Sequence, residues 1–99
     1  MSFRAALIAM GYRQIESVFM AKPVGRSLFV VHVELREWRR LIRGTDGEIH
    51  IYNRQTIGGA NDYSRIVRDI REIEAHHDNS SGVDYDFAFT ALNDLDLGL

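Results

Sequence analysis

The chain of 99 residues contains no cysteine, which excludes a disulfide framework, a thiolate metal site and a cysteine nucleophile. It has one proline, Pro23, and one lysine, Lys22, against eleven arginines. No apolar run approaches the roughly 18 residues needed to cross a bilayer as a helix. The opening MSFRAALIAMGY is broken by Gly11 too early for a signal peptide. A cytoplasmic protein with no membrane association is the default expectation. The last 22 residues carry no base at all.

Hydrophobic residues at 45% and charged residues at 26% are ordinary globular values, and the length suits one core rather than two, so residues 1–99 read as a single domain. The net charge of −2 conceals a gradient. Residues 1–43 balance at +5, residues 44–77 at −2 and residues 78–99 at −5. The overall acidity gives no support to nucleic-acid binding, while a local basic patch remains available for the acidic end to neutralise.

Phe3, Ala6, Leu7 and Met10 fall at helical spacing behind Ser2, a capping residue, and Gly11 ends that helix. Tyr12 is placed for the contact that accompanies a glycine cap. Alternation over Arg13 to Lys22 predicts a strand that closes at Lys22-Pro23-Val24-Gly25. No Gly, Pro, Asn, Asp or Ser separates Phe29 from Arg43, so residues 27–43 read as one very long strand, with a bend or bulge near Glu37–Arg40. Gly44-Thr45-Asp46-Gly47 folds that strand back on Glu48 to Ile57, pairing residues whose numbers sum to 92.

After Gly58-Gly59, Tyr63, Ile66, Val67, Ile70 and Ile73 form the apolar stripe of the clearest helix, with His76 and His77 at its end. Val83, Tyr85, Phe87 and Phe89 alternate through a last strand, and residues 91–99 form a loose acidic tail or one helical turn. The expected fold is therefore α+β: an antiparallel sheet of 3–4 strands with two helices on one face, in the order α-β-β-β-α-β. Its first five elements follow the order of double-stranded-RNA-binding domains, which is common to many folds and is accompanied here by no residue motif.

Strict alternation in the central hairpin puts Phe29, Val31, Val33, Leu35, Leu41, Ile49, Ile51 and Ile57 on one side. The other side then carries Arg36, Trp38, Arg40, His50, Tyr52 and Arg54, with Trp38 facing Arg54 and Arg40 facing Tyr52. Such a surface suits a protein partner or a second copy, because Trp, Tyr and Arg dominate interface hot spots. The alternative is a stacking platform for nucleic-acid bases, and the bland reading is a self-stabilising sheet.

No catalytic residue and no cofactor is assigned. The nearest approach to a catalytic pair is His32 with Glu34, on one face at i, i+2, and no substrate suggests itself for a small hydrolase. Metal ligation is not expected either. His32 and His50 fall about ten residues apart along the ladder, roughly 33 Å, and His76 and His77 lack the i, i+4 spacing that joins ligands on a helix.

Overall fold

The structure, a computed structural model, describes residues 3–43, 45–59 and 62–77. Helix α1 (Phe3–Ala9) is followed by strands β1 (Arg13–Gln14), β2 (Phe19–Val24), β3 (Ser27–His32), β4 (Glu37–Arg43) and β5 (Ile49–Thr56), then by helix α2 (Tyr63–His77). The five strands form one antiparallel meander in sequence order, with both helices packed on the same face. This is the expected α+β class with five strands in place of 3–4, and with them the order shared with double-stranded-RNA-binding domains is lost. The expected strand over residues 83–90 and the tail over 91–99 lie outside the described residues.

Both helices follow their apolar stripes. Phe3, Ala6 and Leu7 bury one side of α1, and Ile66, Ile70 and Ile73 bury one side of α2. Gly11, at φ +95°, turns the end of α1 through the left-handed region. The Gly11 and Tyr12 N–H groups then donate to Ile8 and Leu7 carbonyls at 3.0 Å, which satisfies the last turn and drives Tyr12 into the core.

The extra strands come from two reversals that carry no glycine, proline or Asx residue. In the first, the Ile15 and Glu16 N–H groups both point at the Phe19 carbonyl (3.0 and 3.4 Å), so the predicted strand 13–22 folds back and Arg13 pairs with Ala21. Pro23 falls inside β2 opposite Leu28 rather than in the turn, which is made at Gly25 (φ +58°) and Arg26. There β1 no longer flanks β2, so the missing N–H costs no ladder bond.

The second reversal, at Val33–Arg36, cuts the expected strand 27–43 into β3 and β4. The Leu35 N–H donates to His32 Nδ1 at 3.1 Å, and Arg36 adopts φ +51°, an unfavourable conformation for a residue with a Cβ. Neighbours over-determine it. The Ile57 N–H donates to the Arg36 carbonyl at 2.7 Å, Arg36 Nη1 donates to the Gly58 carbonyl, and the guanidinium lies 4.6 Å from the Phe3 ring centroid.

The hairpin between β4 and β5 begins as predicted. Arg43, Ile42 and Leu41 pair with Ile49, His50 and Ile51, Gly47 takes φ +81°, and Asp46 accepts from the Glu48 N–H at 2.9 Å. An irregularity between Arg40 and Leu41 then leaves Tyr52 unopposed and moves Arg40 to Asn53 and Trp38 to Gln55. Together the turn and the bulge redistribute the apolar set. Phe29, Val31 and Ile57 join Trp38 and Met20 beneath the helices, Leu41, Ile49 and Ile51 go to the second face, and Leu35 stays exposed.

Trp38 and Tyr52 therefore live in opposite environments, 0% and 58% exposed. Trp38→Ala is expected to cost about 3–5 kcal/mol by emptying the largest core site, whereas Tyr52→Ala stays within about 0.5 kcal/mol. Urea denaturation of the two variants checks this, with the contrast read from the midpoints at equal slope.

Candidate functional site

The six residues expected to share an exposed face do not share one. Trp38 is the correction with the widest effect. Its ring lies between Phe29, at 4.8 Å, and His77, stacked at 5.2 Å with 19° between planes. Arg40 is on the same inward side, half-buried, donating from Nε to Ser27 Oγ and from Nη1 to Asn53 Oδ1. Arg36 holds the β3–β4 turn. The facing pairs Trp38–Arg54 and Arg40–Tyr52 are not formed, because the bulge shifts the ladder by one residue.

What remains accessible is β5. His50 lies near Asp46, with Nε2 at 3.1 Å from a carboxylate oxygen, and Tyr52 and Arg54 project further along the strand. The Glu48 N–H and then His50 hold the Asp46 carboxyl below the usual carboxylate range. Arg54 comes within 3.7 Å of Glu37, whose carboxyl is lowered first by its hydrogen bond from Arg39 at 2.6 Å.

A polar chain in the core was not anticipated from the sequence. Trp38 Nε1–H donates to the Tyr12 hydroxyl at 3.2 Å, and that hydroxyl donates to Glu74 at 2.6 Å. Lys22 Nζ closes the chain at 2.9 Å from Glu74 and also donates to the Met10 carbonyl. Burial, and then the Glu74 charge, hold the Tyr12 hydroxyl far above the ordinary tyrosine range, so it keeps its proton and acts as a fixed donor. A signal for this cluster exists in the sequence. Glu74 falls on the apolar stripe of α2, four residues after Ile70, and Lys22 follows Met20 on the inward side of β2.

The other constellations are equally structural. His32 spends Nδ1 on the turn and sets its ring edge-on to Phe19 at 4.9 Å, while Glu34 points to solvent, so the two form no catalytic pair. His76 and His77 meet ring to ring at 4.8 Å rather than around an ion. Among the described residues no group of three or more His, Asp or Glu side chains converges for a metal. An open groove of about 460 Å³ runs between the end of β5 and α2, where Gln55, Thr56 and Gly58 face Asp69, Glu72, Ile73 and His76.

With this geometry established, no family model matches the chain, and no curated protein or solved structure matches it.

Tyr12→Phe is expected to lower stability by roughly 1–3 kcal/mol, since it strands the buried Trp38 N–H and removes a donor from half-buried Glu74. Combining it with Trp38→Phe costs less than the two single changes together, a non-additivity that a double-mutant denaturation cycle reads directly. A pH dependence follows from His77. Burial first, then His76 and Arg40, hold it below the histidine value of 6.5. As pH falls below 6.5 the unfolded chain takes up this proton before the folded one, so stability is complete above that value and declines beneath it. His77→Gln flattens that decline in thermal melts recorded across the range.

Proposed function

We propose that this domain is a non-enzymatic protein-binding module that works through β5, and that a second copy of the chain is its first partner. The observation that carries this is the edge itself. Among the described residues strand β5 is the longest strand, closes the sheet on one side and pairs only with β4. An eight-residue edge is a template for another strand. Two copies related by a two-fold axis can join β5 to β5 and extend the sheet without leaving a further edge there.

The side chains along β5 support the same use. Tyr52, swung out by the bulge, has Arg54 and His50 two residues to either side. A tyrosine and an arginine are side chains that interfaces concentrate. The nucleic-acid alternative loses its main stacking ring to the core, and Arg40, meant for phosphate, is bonded to Ser27 and Asn53.

Analytical ultracentrifugation across a dilution series decides the matter. The wild type is expected to dimerise, and Tyr52→Lys, which places a charge on the edge, to weaken the dimer about tenfold or more, equivalent to roughly 1.4 kcal/mol. A wild type that sediments as a monomer at every concentration overturns the proposal, as does a dimer indifferent to Tyr52→Lys.

A further inference from the structure

The edge strand and the open groove lie side by side. Gln55 and Thr56, at the end of β5, form one wall of the groove, and Asp69, Glu72 and Ile73 on α2 stand across from them. Ile73 gives the interior an apolar patch, while Asp69 and Glu72 bring carboxylate oxygens to its rim. These acceptors are still available. Asp69 meets Arg68 at 3.8 Å, and Glu72 is exposed with no ion pair among the described residues. A volume of about 460 Å³ that combines an apolar patch with acceptors suits a ring that carries a donor.

Such a ring stands on the edge itself. Of the large apolar side chains exposed among the described residues, Tyr52 is the one on β5. Alternation fixes its side. Ile51 packs into the cluster on the second face, so Tyr52, the next residue, stands on the face that carries α2 and the groove.

We propose that in the dimer formed through β5 each copy seats its Tyr52 in the groove of the other, with the ring against Ile73 and the hydroxyl donating to Asp69 or Glu72. This rests on the reading of β5 as a pairing edge and adds the pocket in which that edge anchors. Antiparallel pairing of Ile49–Thr56 with itself, about a two-fold axis normal to the sheet, keeps the helix faces of both copies on one side. With all eight residues overlapped, the partner's Tyr52 stands opposite Asn53, two residues or roughly 7 Å from Gln55. Aromatic side chains span such a diagonal. The exchange is reciprocal, so one interface buries two rings in pockets and supplies two charge-assisted hydrogen bonds. The bulge serves the same end, since the residue it leaves unopposed in the ladder is the one that reaches across.

The test uses the full chain at concentrations where sedimentation reports a dimer. In an equimolar mixture of isotope-labelled and unlabelled copies, filtered NMR spectra are expected to show nuclear Overhauser contacts from the Tyr52 ring to the Ile73 methyls between copies. Tyr52→Phe, and separately Asp69→Asn with Glu72→Gln, are each expected to weaken the dimer about tenfold or more. All three together weaken it no further than the larger of those effects, because donor and acceptors form one interaction. Tyr52→Lys weakens the dimer as well, since it trades the ring contact for a solvent-screened ion pair. A dimer that Tyr52→Lys weakens, but that lacks the Tyr52–Ile73 contact between copies or responds additively to the other substitutions, overturns this inference and leaves β5 as the interface. A wild type that never dimerises overturns both.

Discussion

The hydroxyl of Tyr12 ties the end of α1 to β4 and α2. It accepts from Trp38 on β4 and donates to Glu74 on α2, which in turn holds Lys22 on β2, while Tyr12 itself is fixed by the glycine cap of α1. Each of these groups alone would be costly to remove from water, by roughly 1–3 kcal/mol for a neutral one and more for a charge. Linked, they satisfy one another and fix the position of both helices on the sheet. An apolar core of the same volume would leave α1 freer to slide, because a contact stripe of three residues, Phe3, Ala6 and Leu7, does little to specify a register. The position of Trp38 is part of that specification: its indole nitrogen points to the hydroxyl while its ring fills the space between Phe29 and His77.

Much of this could be read from residue spacing, and the part that could not has a common cause. The stripes of α1 and α2, the glycine that ends α1, and the turn at Asp46–Gly47 are local signals that tertiary contacts left in place. The turn at Val33–Arg36 has no local signal. A β-branched residue, a leucine and an arginine at φ +51° are poor turn formers, and the reversal exists because His32, Ile57, Gly58 and Phe3 hold it from outside the segment. Length was the only available clue, since an uninterrupted strand over 27–43 would be about three times the usual size.

The candidate surface failed on a smaller event. The pairing register near the turn is the one the sequence implies, and a single unopposed residue, Tyr52, changes every pair beyond it. Because strand side chains have a period of two, one inserted residue exchanges the faces of all that follows. The reversal at 33–36 restarts the alternation as well, so the sides of Phe29 and Leu41 diverge. A basic and aromatic composition was thus legible, but its assignment to one side was not. Trp38 and Arg40 went to the core and its margin, and the strand edge retained His50, Tyr52 and Arg54.

A sheet with apolar side chains on both faces imposes a further condition on the molecule. Two helices of 7 and 15 residues cover one face, and nothing in either stripe is left over for the other. Burying four side chains the size of valine or leucine is worth roughly 1.5–3 kcal/mol each, comparable in total with the whole stability of a domain this size. The second face is therefore as much a part of the hydrophobic core as the layer beneath the helices, and the one guanidinium buried within it, Arg39 at 4% exposed, holds Glu37 at 2.6 Å, so the charge it takes out of water is paired there.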